Sequence, residues 1–160
     1  METITDLRTA ILGFGNPVRS DDAIGVYVVN ELKRYIANRN DVSIFDMGTS
    51  AFEILFRLKD HGRIVIVDSV INSGEPDGTL FCLPASEINA QIQDDPMVFL
   101  HGMKWDQALS YAKKIMNDEF PGDMIQVYLV AISEIKLNME LSDIVKEAGD
   151  MLITRILKDI

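Results

Sequence analysis

The chain has 160 residues, 48% apolar and 25% charged, which is enough to bury about two thirds of its unfolded surface and is the balance of an ordinary globular protein. With 25 acidic against 15 basic residues its net charge is −10, so its field repels nucleic acid and anionic lipid. No apolar run approaches the roughly 18 to 20 residues that span a bilayer, and METITDL carries acids where a secretory leader carries Lys or Arg. These features predict a cytoplasmic protein of one domain over residues 1–160, with no nucleic-acid or membrane partner.

In chain order, TAILGF (Thr9 to Phe14) and VSIFD (Val42 to Asp46) are short apolar runs rich in strand formers. RIVIV (Arg63 to Val67) and MIQVYLVA (Met124 to Ala131) are apolar without alternation, the pattern of strands buried on both faces of a parallel sheet. Thr79 to Leu83 follows the turn signal GEPDG and is expected as a further strand, antiparallel at an edge. Its Cys82 is the single cysteine, so no internal disulfide is possible, and it is expected to be a small buried hydrophobe.

Between the strands the period turns helical. Ile24, Val28, Leu32 and Ile36 share one face, as do Trp105, Leu109, Ala112 and Met116. Phe52 to Leu58 is expected as a shorter helix, and Ser142 opens a last one with Ile144, Val145, Ala148, Met151, Leu152 and Ile156 facing inward. The order β-α-β-α-β-β-α-β-α predicts an α/β fold, a three-layer αβα sandwich around a mostly parallel sheet.

In such a sheet the loops leaving the carboxyl ends of parallel strands build the binding crevice. Asp21 and Asp22 follow the first strand, Asp46 ends the second and Asp68 ends the third, which gathers them along one edge. The helix from Trp105 must run back across the sheet to reach the Met124 strand, so His101 lies at that edge too, whereas His61 falls at the opposite edge as a helix-end or turn residue.

Each of these has a purely structural alternative. Ser20 can cap the next helix with Asp21 or Asp22 in its first turn, and Asp46 and Thr49 can organise a turn. Asp68 follows four apolar residues at the rim of a dry sheet, where an unpaired carboxylate is expensive.

Together, carboxylates and an imidazole on an open crevice can hold a divalent metal, bind a group that carries one, or share protons in acid–base work. The glycine loop GFGNPV has Gly13 and Gly15 but Val18 at the third dinucleotide-fingerprint position, and acids follow where pyrophosphate needs a free helix N-terminus. A nicotinamide or flavin site is thereby disfavoured. The glycines are expected to allow a tight turn and close backbone approach, with Pro17 fixing the loop.

GFGNPVRSDDAIG (Gly13 to Gly25), DMGTS (Asp46 to Ser50), IVIVDSV (Ile64 to Val70) with PDGT (Pro76 to Thr79), and HGMKWDQAL (His101 to Leu109) resemble, in order and spacing, the hydrogenase maturation peptidases. These endopeptidases remove a short C-terminal extension from the large subunit of [NiFe] hydrogenase after its metal centre is loaded. The resemblance implies a five-stranded sheet, catalytic and metal-contacting roles for Asp22, Asp68 and His101, and a substrate loop containing Gly15, Asn16, Asp46 and Thr49.

It further implies an aspartyl-type peptidase whose partner is the large-subunit precursor. No tightly bound cofactor of its own is expected, the nickel being contacted in the precursor. Met47 stands where the family often has glycine, and AISEIKLNMELS (Ala131 to Ser142) lacks the family's proline-containing turn. The chain has neither a nucleophile constellation nor the H-E-x-x-H helix of zinc peptidases. A non-enzymatic nickel-protein adaptor or metallochaperone using the same crevice is the alternative, and a small-molecule enzyme with a cationic substrate is a third reading.

Overall fold

The computed structural model describes residues 8–50, 53–54, 57, 61–87, 105–116 (backbone alone at Tyr111), 120, 122–133 and 140–160. Their regular elements are β1 (Thr9–Phe14), α1 (Ile24–Tyr35), β2 (Val42–Gly48), β3 (Arg63–Ile71), β4 (Leu80–Pro84), α2 (Trp105–Met116), β5 (Ile125–Ile132) and α3 (Asp143–Asp159). The strands form one five-stranded sheet in the order β2-β1-β3-β5-β4. β1 is parallel to β2 and β3, β3 is parallel to β5, and β4 pairs antiparallel with β5 at the edge, as expected.

Alternate strand residues feed two cores on opposite faces, the consequence of a two-residue side-chain period. Ala10, Leu12, Ile64, Ile66, Val127 and Leu129 pack with Trp105, Ala108, Leu109 and Ala112 of α2. On the other face Ile11, Val65, Val67, Tyr128 and Val130 pack against α1 and α3. The unbroken apolar run of β3 is thus explained: Ile64 to Val67 are each at most 1% exposed because helices cover both sides. No helix of the described residues is long and apolar enough to cross a membrane.

Close contact between α1 and the sheet depends on glycine. A Cβ on Gly25 would collide with the carbonyl oxygens of Phe14 and Val67, and one on Gly13 would collide with the Gly25 carbonyl and the Val29 side chain. The two glycines let helix and strand backbones touch, so α1 starts directly above the end of β1.

Several details differ from the sequence expectations. β3 runs on to Ile71, so Asp68 lies within it: β1 pairs no further than Val67, whereas β5 stays paired as far as Ile71. Ser20 is not the cap of α1. It has φ +52° and opens a 3-10 turn, Ser20–Ala23, and α1 begins only at Ile24 with no side-chain cap.

Ile144 and Met151 are 53% and 61% exposed. They lie about 100° round the axis from Val145 and Leu152, which belong to the buried stripe with Ala148, Ile153 and Ile156. Cys82 is exposed as well. Phe81 and Leu83 face one core and Leu80 the other while Cys82 between them stays exposed, so apolar neighbours in sequence do not bring burial. Of the expected helix Phe52 to Leu58, Ile54 and Arg57 are helical and Ile54 is fully buried; the rest falls outside the described residues apart from Glu53.

Candidate active site at the carboxyl edge of the sheet

β1 ends in a loop that doubles back on itself. Gly15 has φ +148°, and any side chain there would strike the carbonyl of Asp22, so the loop closes against the turn that follows it. Asn16 organises the reversal: its side-chain oxygen accepts from the Val18 N–H at 3.1 Å and its carbonyl accepts from the Arg19 N–H at 3.0 Å. Pro17 sits inside this reversal, where its fixed φ suits a turn. The Asn16 N–H is left facing Asp22 and donates to its Oδ2 at 3.1 Å.

The adjacent acids have different jobs. Asp21 is buried, at 6% exposure, and accepts from the Ser142 N–H (2.7 Å) and the Ser142 hydroxyl (2.9 Å) at the start of α3. That is a structural bond which neutralises the cost of burying a carboxylate. Asp22 is half-buried and faces the crevice, where its Oδ1 accepts from the Ser69 hydroxyl at 3.1 Å. Among the described residues each Asp22 oxygen accepts one of these hydrogen bonds, which leaves a second lone pair on each.

Asp68 occupies the first position of β3 beyond its pairing with β1. Its Oδ1 accepts from the N–H of Ser69 at 2.7 Å. Alternation places Ser69 on the same face as Val67, above which α1 packs, and Asp68 on the α2 face with Ile66. Asp22 and Asp68 therefore reach the crevice from opposite faces of the sheet, and Ser69 touches both. Sequence reasoning missed Ser69; the signal was its place directly after an acid at the rim of a buried strand.

Asp46 belongs to the same edge, paired with Gly13, but its side chain is exposed and accepts from the Gly48 N–H at 3.0 Å. Gly48, at φ +53°, accepts the Gly15 N–H at 2.9 Å, so the second-strand loop and the glycine loop are joined. Thr49 is exposed beside this link. Thus Gly15, Asn16, Asp46 and Thr49 flank the acids, with Asp46 also filling its alternative role in a turn.

His101 lies outside the described residues, as does 134–139 of the segment that departs from the resemblance. Trp105, four residues after it, opens α2 on the Asp68 face of the sheet. His61 precedes β3 at the opposite edge, with its Nδ1 3.2 Å from the Arg57 carbonyl and its ring edge-on to Phe45 at 5.8 Å. It takes no part in the site. Among the described residues no group of three His, Cys, Asp or Glu is placed to hold a metal ion. Asp22 and Asp68 are carboxylates, oxygen donors of the kind that divalent cations take.

The chain resembles known proteins in sequence and in structure. It is 31% identical over 84 residues to the hydrogenase 2 maturation protease of Escherichia coli K12, a match covering 52% of this chain and 51% of that protein. Matched stretches cover 51%, 37% and 58% of three curated relatives, so the chain spans about half of their length.

Among solved structures, the [NiFe] hydrogenase maturation protease HycI of Thermococcus kodakarensis KOD1 superposes with a TM-score of 0.68 at 25% identity, covering 97% of this chain and 93% of that one. The maturating endopeptidase HybD of E. coli gives 0.69 at 23% identity, covering 95% and 91%, a likeness of fold. The HycI family model, described as hydrogenase maturation protease, matches residues 26–159, most of the chain, beginning just after Asp22. With that match the chain belongs to the hydrogenase maturation protease family.

Proposed function

We propose that this protein is an endopeptidase that cleaves the C-terminal extension from a [NiFe] hydrogenase large-subunit precursor once nickel has been inserted. The observation that carries the reading is the convergence of Asp22 and Asp68 on one sheet edge from opposite faces, in a chain of this family. Nickel arrives as part of the substrate and is contacted by Asp22, Asp68 and His101; bound there, it can polarise the neighbouring peptide carbonyl. The chain's own carboxylates bind and orient the loaded precursor, and one of them can take the proton from an attacking water. Asp46, Thr49, Gly15 and Asn16 form the loop along which the extension lies. Cleavage then reports on metal loading, because an unloaded precursor lacks the group the acids recognise.

The test is intact-mass spectrometry of the large-subunit precursor, with and without nickel, after incubation with this protein or its Asp22→Asn variant. Loss of one C-terminal fragment only with nickel and the unsubstituted protein is the expected result. A stable complex with unchanged mass overturns the peptidase reading in favour of an adaptor. Tightly held nickel or zinc in protein purified without added metal would contradict the substrate-borne part of the proposal.

A further inference from the structure

Ser69 is bonded to both candidate ligands. Its hydroxyl donates to Asp22 Oδ1 at 3.1 Å and its backbone N–H donates to Asp68 Oδ1 at 2.7 Å. It is half-buried, in a stretch of β3 held on one side by β5, where it pairs with Val130, and released by β1 on the other. The backbone bond to Asp68 would be available to any residue at this position. The bond to Asp22 needs a hydroxyl.

We propose that Ser69 is a positioning residue that sets the orientation of Asp22, and its spacing from Asp68, toward a divalent cation. The inference rests on the reading of these acids as contacts to substrate-borne nickel. Asp22 stands on a loop, which alone would let its carboxylate swing about χ1 and χ2. The Asn16 N–H fixes Oδ2 and the Ser69 hydroxyl fixes Oδ1, so the carboxylate plane is set from both sides and, among the described residues, one lone pair on each oxygen stays open. Because the Ser69 hydroxyl is carried on the strand that also carries Asp68, the loop acid is held in register with the strand acid. Preorganisation of this kind lowers the ordering cost of binding a cation.

The experiment compares Ser69→Ala and Ser69→Thr with the unsubstituted protein. Titration calorimetry with Ni2+ alone should show binding about ten-fold weaker in Ser69→Ala, the usual scale for loss of a bond that orients a metal ligand, with affinity restored in Ser69→Thr. Melting temperatures should agree for all three. With nickel-loaded precursor, Ser69→Ala should raise KM more than it lowers kcat, and Ser69→Thr should return KM toward its original value.

Equal Ni2+ affinity in the three proteins overturns the positioning role, as does a Ser69→Thr variant that melts normally yet binds as weakly as Ser69→Ala. Absence of cleavage by the unsubstituted protein counts against the peptidase reading. The Ni2+ titration still decides the role of Ser69 in that case.

Discussion

Asp21 and Ser142, separated by 121 positions, are joined by two hydrogen bonds that use both oxygens of the Asp21 carboxylate. Ser142 is the N-cap residue of α3 yet makes no side-chain cap to its own helix, so the charge of Asp21 stands at the helix N-terminus, where the macrodipole favours an anion. The same bonds anchor the short turn that carries Asp22. Asp21→Ala strands the Ser142 N–H and should destabilise the fold by about 2 to 3 kcal/mol, lowering Tm by about 4 to 10 °C. Cleavage of precursor should fall with it, since Asp22 loses its anchor. A thermal melt with Tm unchanged would remove Asp21 from this role.

Gly25 and Gly74 should respond very differently to alanine. At Gly25 a methyl group meets two backbone carbonyls, from Phe14 and Val67, which cannot turn aside without parting α1 from the sheet. A cost of about 3 kcal/mol or more is expected, the upper range of overpacking. Gly74 lies in open space at φ +82°, so Gly74→Ala meets only the backbone penalty of about 1 to 2 kcal/mol. Urea denaturation of the two variants measures the difference. Equal midpoints would contradict the close contact between α1 and the sheet.

The Tyr128 hydroxyl donates to Asp159 Oδ2 at 2.7 Å and links β5 to the end of α3. This bond, seconded by Arg155, holds the Asp159 carboxyl below the usual range, and burial followed by the same bond pushes the Tyr128 phenol up. A depressed carboxyl contributes stability that is full above its unfolded value of about 3.9 and is lost as pH falls through the lower folded value. A raised phenol contributes stability that is full below about 10 and is lost as pH rises through the higher folded value. Tyr128→Phe should therefore lower Tm most between about pH 5 and 9, with the gap from the parent narrowing at both extremes. A gap independent of pH would show that the ring, and not the hydrogen bond, is what counts.

Cys82, exposed on the edge strand with Gln126 Nε2 3.0 Å from its sulfur, should react with a thiol reagent in the native protein. One equivalent titrating without denaturant is expected, at a rate little changed by unfolding. A thiol that reacts only after denaturation would return Cys82 to the buried class.

Much of the fold was legible in local pattern. The unbroken apolar runs of β3 and β5 specified strands covered on both faces, and the period of α1 specified its buried stripe, because both depend on side-chain spacing along one segment. The carboxyl-edge rule then brought Asp22 and Asp68 to one edge of the sheet through topology alone, where both meet Ser69. The family resemblance supplied what spacing could not, the membership that the family match bears out.

The sequence by itself determined the order of elements, the sheet they build and the edge at which its acids collect. Tertiary structure alone decided which partner each of two neighbouring aspartates takes, since Asp21 turns to a serine brought from the far end of the chain and Asp22 turns to Ser69. It also decided that Cys82, Ile144 and Met151 are exposed. The reason is common to these cases. Periodicity records which face a side chain takes on its own element, whereas partners and cover come from segments distant in sequence, whose placement is fixed only when the layers close.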